Sequence, residues 1–231
     1  MNWYEKCSNS TAFNEAGRIR KTLEALQAIE KIDEIILVDD GSKDDTVLEA
    51  KNSNIGKLHI IELGTNQGKG KALEVGVDYC LGKFSTIGFV DGDLMESASE
   101  FEKLFEPVIN GIADVTIAKF PPAKKKGGFG FVKKLARDGV KYHTGVELTS
   151  TLSCQRVFKE EVLKNIRRNY YGYGVEVSMT IDILKKGYKI EEVLVNMTHN
   201  ETGRDLKGFI HRGRQFAHIV RALASEFFRR G

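Results

Sequence analysis

Short apolar runs alternate along the chain with segments whose apolar residues recur at helical spacing. The strand-like runs are residues 35–38, 59–63, 86–90, 115–118, 152–158 and 189–195. The helical patterns cover residues 19–29, 72–79, 98–108 and 175–186, with Asn14 as a candidate N-cap of the first and Gly187 as the C-cap glycine of the last. Such alternation is typical of βαβ units. It therefore predicts an α/β protein with a mainly parallel central sheet flanked by helices.

Two segments stand apart from this alternation. Residues 121–145 contain two prolines, several glycines and many lysines, which predicts a long mobile loop. Residues 209–228 place apolar side chains at helical spacing among basic ones, which predicts an amphipathic helix with a basic polar face. We assign residues 1–208 to one domain and residues 209–231 to a C-terminal helix of the same domain.

Composition narrows the class of protein. The chain has 231 residues, which is enough to bury a large core without disulfides. Its three cysteines, Cys7, Cys80 and Cys154, are too few and too scattered for a disulfide framework or a cysteine zinc site, so we expect a reduced, cytoplasmic setting. No apolar stretch approaches the ~20 residues that span a bilayer, so at most the protein lies at the inner membrane surface.

Charge is informative through its distribution rather than its sum, which is +3. Lysines and arginines cluster around residues 124–137 and again near the C-terminus, and such clusters suit phosphate-bearing ligands, anionic lipid or simply a solvated surface. Interleaved aromatic residues and a nucleic-acid-binding motif are both missing, so we expect no nucleic-acid partner.

Three acidic or glycine-rich motifs each follow a predicted strand. Loops at the carboxyl ends of parallel strands meet in one crevice, where ligands bind. The first motif is Asp39-Asp40-Gly41-Ser42. A carboxylate there can accept a hydrogen bond from a base N–H, and Gly41 permits a tight turn beside a ligand. Alone, the motif favours the alternative of a turn and N-cap before a helix that begins near Asp44.

The other two motifs suit a diphosphate. Asn66-Gln67-Gly68-Lys69-Gly70-Lys71 opens a helix, whose backbone N–H groups attract phosphate, and Lys69 adds a point charge. The segment lacks the spacing of a P-loop. Asp91-Gly92-Asp93 follows the strand at 86–90, and two carboxylates that flank a small residue can hold a divalent cation. A lone D-x-D is common in turns, so its meaning depends on the other motifs.

Together and in this order, the motifs resemble glycosyltransferase family 2, especially its dolichol-phosphate mannosyltransferase and glucosyl-3-phosphoglycerate synthase branches. Asn14-Glu15 precedes them, and the likeness continues through residues 172–176 and 187–193 to His199. The resemblance implies the GT-A nucleotide-diphospho-sugar transferase fold. It also implies a metal-dependent transfer of a sugar from a nucleotide-diphosphate donor to an acceptor.

The resemblance further implies roles for single residues. The nucleotide-sugar site would comprise Thr11, Phe13, Glu15, Asp40, Gly41, Lys69 and Asp91. Mg²⁺ or Mn²⁺ would be held by Asp91, Asp93 and His199. The expected catalytic residues are Asp93, Glu176 and Arg204, with Glu176 near the transferred sugar or the acceptor. A surface-loop histidine at His199 and a helix N-terminal glutamate at Glu176, stabilised by the macrodipole, remain alternatives.

The chain departs from these families in three places. Their first strand is strongly apolar, whereas residues 6–11 here are polar, so either the sheet tolerates a poor central strand or the N-terminus is altered. Met95 stands where a polar ligand often follows the D-x-D, which favours His199 as the additional ligand. The acidic pair that acts as general base in many inverting relatives has no clear match.

The missing base bears on the acceptor. A sugar hydroxyl usually needs a base, whereas a phosphate or carboxylate is largely ionised at pH 7. With lysines and Arg204 near the presumed acceptor side, this favours a phosphate-bearing acceptor, either a lipid-linked phosphate or a small soluble anion. Retaining chemistry would explain the missing base equally well, so the stereochemistry stays open.

Alternatives of other kinds stay open at this point. The helix at 209–228 can lie on an anionic membrane, or it can pack on the sheet or on the second subunit of a homodimer. A nucleotidyltransferase would share the α/β fold and acidic metal residues, but the usual G-x-G-T-R-like signature is missing from this sequence. A nucleotide-sugar-binding protein whose catalysis has decayed would explain the altered first strand.

Overall fold

The computed structural model of the chain describes residues 5–121, 130–167, 170, 172–198 and 206–228. Within these residues the strands are β1 (Lys6–Ala12), β2 (Glu34–Asp39), β3 (Leu58–Glu62), β4 (Thr86–Asp91), β5 (Val115–Lys119), β6 (Arg156–Lys159) and β7 (Ile190–Leu194). They form one sheet in the order β3-β2-β1-β4-β6-β5-β7. Strand β6 runs antiparallel to β4 and β5, and every other pair is parallel. The predicted α/β class and mainly parallel sheet are confirmed.

Helices cover both faces of the sheet. They are α1 (Ile19–Gln27), α2 (Thr46–Lys51), α3 (Lys69–Cys80), α4 (Glu102–Ile109), α5 (Phe131–Thr144), α6 (Glu160–Asn165), α7 (Val175–Lys185) and α8 (Leu206–Phe228). Two short 3-10 helices, Met95–Phe101 and Gly172–Gly174, precede α4 and α7. Helices α1 and α4 share one apolar cluster with one face of the sheet, and α3, α6 and α7 share another with the opposite face. A third cluster joins α5, α7 and α8.

The polar segment at the start of the chain is a central strand. β1 pairs with β2 on one side and with β4 on the other, so its backbone groups are satisfied whatever side chains it carries. Ser8, Asn9 and Ser10 are fully buried, and Asn9 Nδ2 donates a hydrogen bond to the Leu73 carbonyl at 3.2 Å. A Cβ at Gly76 would lie 2.2 Å from the Asn9 side chain, so this glycine of α3 makes the room. Of the two alternatives, the sheet that tolerates a polar central strand is the one observed.

The prediction of a loop over residues 121–145 is wrong for its second half. Residues 131–144 form α5, which lies between Gly130 and Gly145, both in the left-handed conformation. Ala136 and Val140, four residues apart, are buried against α7 and α8. The glycine- and lysine-rich composition concealed this apolar spacing, and only packing on distant helices stabilises it. Residues 122–129 of the predicted loop lie outside the described residues.

Asn14 does not cap α1. The N-cap position is Arg18, and Asn14 adopts a left-handed conformation four residues earlier. Its Oδ1 accepts the Lys43 N–H at 2.9 Å, and its own N–H donates to Ser42 Oγ at 2.9 Å. Asn14 therefore connects the loop after β1 to the loop after β2 instead of starting a helix.

The C-terminal helix packs on the domain. α8 contacts α5, α7 and the 3-10 helix at Gly172–Gly174, and Ile219 is buried between them. Arg167 forms ion pairs with Asp182 of α7 and with Glu226, which is buried on α8. Among the described residues, no helix is both long enough and apolar enough to cross a bilayer.

Candidate active site

The three motifs meet at one edge of the sheet because they follow neighbouring parallel strands. In the register of the sheet, Thr11 of β1 lies beside Val38 of β2 and beside Asp91 of β4, and Ala12 lies beside Asp39. The Gly92 N–H donates to the Thr11 carbonyl at 3.2 Å, which extends the pairing past the end of β4. The loops after β1, β2 and β4 thus line one crevice, as expected for carboxyl ends of parallel strands.

The two carboxylates of the first motif, Asp39 and Asp40, accept hydrogen bonds that fix the conformation of its loop. Asp39 accepts backbone hydrogen bonds from Gly41 and Ser42 and closes the turn after β2. Asp40 is 4% exposed, and its two carboxylate oxygens accept the N–H groups of Gln67 and Gly68 at 2.7 and 2.9 Å. Asp40 therefore fastens the first motif to the second. Its role toward a nucleobase, implied by the family resemblance, stays a prediction.

Gly41 is required by the way these two loops approach each other. Its φ is +75°, and a Cβ there would lie 2.5 Å from the backbone carbon of Thr65. Any other residue would be strained in φ and would collide with main chain that has no room to move. The glycine therefore serves the contact between loops, whatever ligand lies beside it.

Lys69 and Asp91 form an ion pair at the centre of the crevice. Lys69 Nζ lies 3.0 Å from Asp91 Oδ1 and 3.6 Å from Glu176 Oε1, and Gln155 Nε2 donates to Asp91 Oδ2 at 2.8 Å. Burial opposes the charge on Lys69, but Asp91 and Glu176 outweigh it and raise the pKa of Lys69. Burial likewise opposes the charge on Asp91, and Lys69 and Gln155 reverse the effect and lower its pKa. Both groups are therefore charged at neutral pH.

The turn that contains Asp91-Gly92-Asp93 is held by hydrogen bonds to the side chain of Thr22. Thr22 Oγ1 of α1 donates to the Gly92 carbonyl at 2.9 Å and accepts the Met95 N–H at 2.8 Å. Met95 adopts a positive φ of 51°, which is uncommon outside glycine and asparagine. A Cβ at Gly92 would lie within 3.3 Å of Ile19, Thr11 and Ala12. The backbone between the two aspartates is thus held in one conformation.

Carboxylates gather near this turn. Burial raises the pKa of Glu15, against the opposing effect of its salt-bridge partner Arg18. The negative charges of Asp93 and Asp91 act on Glu15 in the same direction as burial. Thr11 is buried, whereas Phe13, in the loop after β1, is 42% exposed. The structure therefore brings Thr11, Phe13, Glu15, Asp91 and Asp93 to one end of the sheet.

The carboxylates of Asp91 and Asp93 are the oxygen ligands that Mg²⁺ and Mn²⁺ prefer. Within the described ranges, however, no three side chains of the His, Cys, Asp and Glu types come together as a metal cluster. His199 and Arg204 lie outside the described residues, so their predicted roles are untested. The donor chemistry of the D-x-D fits a divalent cation whose remaining ligands come from elsewhere.

Three residues of the site escaped the sequence analysis, and they are consecutive: Cys154, Gln155 and Arg156. Gln155 orients Asp91, and the Cys154 thiol also hydrogen-bonds to that carboxylate. Fully buried Arg156 donates to the carbonyls of Thr151, Ser153 and Glu176 and to the Thr180 hydroxyl. It thereby ties the segment before β6 to the first turn of α7, where Glu176 faces Lys69. A signal was present, because an arginine inside an apolar run is uncommon unless it is paired.

Comparison with known proteins identifies the family of this chain. The model of glycosyl transferase family 2 matches residues 10–168. The chain belongs to that family. An uncharacterized protein of Methanocaldococcus jannaschii is 31% identical over 202 residues, which cover 82% of this chain and 86% of the relative. Polyprenol monophosphomannose synthase of Mycolicibacterium smegmatis is 25% identical over 181 residues, which cover 73% of this chain and 68% of the synthase.

The family 2 fold is also seen in solved structures. Glucosyl-3-phosphoglycerate synthase from Mycobacterium tuberculosis, in complex with Mn²⁺, UDP and glucosyl-3-phosphoglycerate, matches with a TM-score of 0.80. The match has 22% sequence identity and covers 96% of this chain and 80% of the synthase. The GT-A fold implied by the family resemblance is therefore confirmed. Family membership makes the chain a glycosyltransferase, and the nucleotidyltransferase alternative has no support among these findings.

Proposed function

We propose that this glycosyltransferase moves a sugar from a nucleotide-diphosphate donor to a phosphate-bearing acceptor, with Mg²⁺ or Mn²⁺ held by Asp91 and Asp93. The observation that carries the proposal is the placement of Asp91 at the end of β4. There it lies between Lys69 and Gln155, beside the loops after β1 and β2. Membership of the family supports the reaction class, and Mn²⁺ with UDP in the similar solved structure supports the metal.

The chain's own residues would divide the work at the donor. Asp91 already neutralises one cation, the Lys69 ammonium, so its carboxylate is held charged and oriented. A divalent cation at the D-x-D would supply charge stabilisation for the diphosphate that leaves. Lys69, at the first residue of α3, is placed to add a positive charge beside phosphate at a helix N-terminus. Thr11, Phe13 and Glu15 would line the base and ribose.

Glu176 marks the side from which the acceptor would approach. It is the second residue of α7 and lies opposite Lys69, and its carbonyl accepts a hydrogen bond from Arg156. We assign a phosphate-bearing acceptor because the acidic pair that acts as general base in many inverting relatives has no clear match in the sequence, and an ionised phosphate needs no base. Similar proteins support both sources of that phosphate, a lipid-linked phosphate and a small soluble anion. One is a polyprenol monophosphomannose synthase, and another was solved with glucosyl-3-phosphoglycerate.

Between the two sources, the surface of α5 and α8 favours a lipid. Phe131 of α5 is 66% exposed and Phe216 of α8 is 43% exposed, and both line a groove of about 500 Å³ between the helices. Exposed Lys133 and Lys134 follow Phe131 in α5, and exposed Arg214 lies near Phe216. Aromatic residues beside cations suit an anionic bilayer, where each basic residue contributes about 1 kcal/mol of attraction.

The reaction itself is tested by incubating the purified protein with UDP- and GDP-sugars and Mn²⁺, with decaprenyl phosphate or 3-phosphoglycerate as acceptor. We expect a glycosylated phosphate product that disappears in EDTA and in Asp91→Asn. Glu62→Gln, an exposed carboxylate change on the edge strand β3, three positions from β4 in the sheet, is the matched control and should retain activity. Transfer that proceeds undiminished in EDTA would contradict the metal assignment.

The membrane surface is tested separately by sedimentation with vesicles that contain phosphatidylglycerol. The double variant Phe131→Ser/Phe216→Ser should stay in the supernatant, whereas wild type and Leu48→Ser should pellet. Leu48 is the control because it is also an exposed apolar residue, at 55%, but it lies on α2 and not on α5 or α8. Equal recovery of wild type and double variant in the supernatant at low salt would reject the membrane contact and favour the soluble acceptor.

A further inference from the structure

Two cysteines that are far apart in the chain lie in contact in the core. Cys7 is the second residue of the central strand β1, and Cys80 is the last residue of α3, 73 positions later. Their Sγ atoms are 3.1 Å apart, and neither residue is exposed to solvent. A disulfide needs about 2.05 Å, so a shift of roughly 1 Å would bring the two sulfurs to bonding distance.

Among the described residues, the surroundings of the two sulfurs are mainly apolar. Both belong to an apolar cluster with Val77, Phe84 and Ile87, which lie at the amino end of the sheet and the last turns of α3. The third cysteine, Cys154, is also buried, but its thiol hydrogen-bonds to Asp91 at the opposite, carboxyl end of the strands. The pairing of Cys7 with Cys80 is therefore unambiguous within this fold.

We propose that Cys7 and Cys80 are a disulfide-forming site that covalently joins the central strand to α3 when a low-molecular-weight disulfide is present. One cysteine thiolate attacks the small disulfide, forms a mixed disulfide and releases one small thiol. The second cysteine thiolate then displaces the other small thiol and closes the protein disulfide. The two cysteines together lose two electrons and two protons, and the small disulfide is reduced to two thiols.

The cross-link would attach α3 to a central strand that carries polar side chains into the core. β1 carries Ser8, Asn9 and Ser10 into the core instead of apolar side chains, so it gains less from burial than its neighbours. β1 also leads to Thr11, and α3 begins at Lys69, so both joined elements reach the candidate active site at their other ends. A disulfide restricts the unfolded chain most when it closes a long loop, as it would here.

Oxidation would be slow in the folded protein. Burial raises the pKa of Cys7, and the adjacent Cys80 acts in the same direction, so the reactive thiolate is scarce. Neither sulfur is exposed to solvent, so a disulfide reagent reaches them only when the surrounding structure opens locally. These properties distinguish a stabilising cross-link from a rapid redox sensor, whose cysteines are exposed and readily ionised.

The test is equilibration of the reduced full chain in glutathione redox buffers containing mild urea, followed by removal of the urea, alkylation under denaturing conditions that expose all three cysteines, and mass spectrometry. We expect an oxidised species that carries one alkyl group, on Cys154, where the reduced chain carries three, and a cross-linked peptide that joins Cys7 to Cys80. Its Tm should be higher than that of the reduced protein by on the order of 5–10 °C. Cys7→Ala and Cys80→Ala should each prevent the change, and Cys154→Ala should oxidise as the wild type does.

If either Cys7→Ala or Cys80→Ala fails to fold, the other variant still tests whether the cross-link requires this pair. The proposal is overturned if all three thiols are alkylated at every redox ratio, if the cross-link involves Cys154, or if the oxidised protein melts at or below the temperature of the reduced one. None of these outcomes depends on glycosyl transfer, so the proposal stands or falls independently of the proposed function.

Discussion

The two halves of the sheet contribute to the candidate active site by opposite routes. On one side, β1, β2 and β4 are parallel, and each delivers the residues that follow it to the crevice. On the other side, β6 is antiparallel to β4, so the residues that precede it, Cys154 and Gln155, arrive at the same edge. A search of the residues after each predicted strand therefore finds the first half of the site and misses the second.

Among the predicted changes, removal of the Asp93 charge should have the largest effect. It acts on the part of the site that follows the parallel strands. Asp93→Asn should lower the rate of sugar transfer by roughly 10²–10³-fold, which is the order seen when one stabilising group is removed from a charged transition state. The half-buried side chain adds little to the core, so Tm should change little. Initial rates and thermal melts of Asp93→Asn and the Glu62→Gln control measure both. Full activity in Asp93→Asn would exclude the residue from the reaction.

The second half depends on a buried arginine. Arg156→Met keeps the apolar volume but leaves the carbonyls of Thr151, Ser153 and Glu176 without their donor. We expect a loss of about 2–4 kcal/mol in the free energy of unfolding, because each buried acceptor left unpaired costs about 1–3 kcal/mol and some will rebind water. Urea denaturation measures the loss. A change below 0.5 kcal/mol, typical of surface substitutions, would show that Arg156 does not hold α7.

Gln155 connects the two halves directly. It donates to Asp91 Oδ2 from the antiparallel side of the sheet. Gln155→Leu should weaken manganese binding by about 10–100-fold, as expected when a residue that orients a metal ligand is lost. Manganese titration of Gln155→Leu against wild type measures the change. If Thr149→Val, an exposed change in the same segment, weakens the binding equally, the effect is not due to orientation of Asp91.

The smallest expected effect concerns the polar central strand. Within the described part of the chain, Ser10 Oγ is buried without a hydrogen-bond partner, whereas Thr22 Oγ1 holds the D-x-D turn. Ser10→Ala should therefore stabilise the protein by about 1 kcal/mol, because an unpaired buried hydroxyl is unfavourable. Thr22→Val, on α1, is the contrasting change: its hydroxyl has hydrogen-bond partners, so its loss should destabilise the protein by about 1–3 kcal/mol. Urea denaturation of both variants decides, and destabilisation by Ser10→Ala would indicate a partner for its hydroxyl.

The parts of the fold that were predictable from sequence are those with a local signal. β2, β3, β4, β5 and β7 coincide with apolar runs, and α1, α3 and α7 with helical spacing. β1 has no such signal, since its stability comes from backbone pairing with two neighbours. α5 is comparable, because its apolar stripe is short and is completed only by α7 and α8. Contacts between residues distant in sequence stabilise both elements, so the sequence pattern alone predicts neither.

The candidate active site also contains residues that sequence motifs predict and contacts that depend on the fold. Asp91, Lys69 and Glu15 were predicted from motifs, and the structure brings them to one crevice. The bond from Gln155 to Asp91 could not be predicted, because it depends on the direction of β6. Nor could the attachment of Asp40 to the Gln67 and Gly68 N–H groups, which depends on how two loops approach.

Calorimetric titration of UDP and GDP into the protein decides whether a divalent cation at the D-x-D holds the donor diphosphate. The titrations are made with Mn²⁺ and again with excess EDTA, for wild type and for Asp93→Asn. We predict that the nucleotide that binds does so at least about 10-fold more tightly with Mn²⁺, which is about 1.4 kcal/mol. Asp93→Asn with Mn²⁺ should bind no better than wild type in EDTA. Equal affinity for wild type with and without the metal would contradict the account.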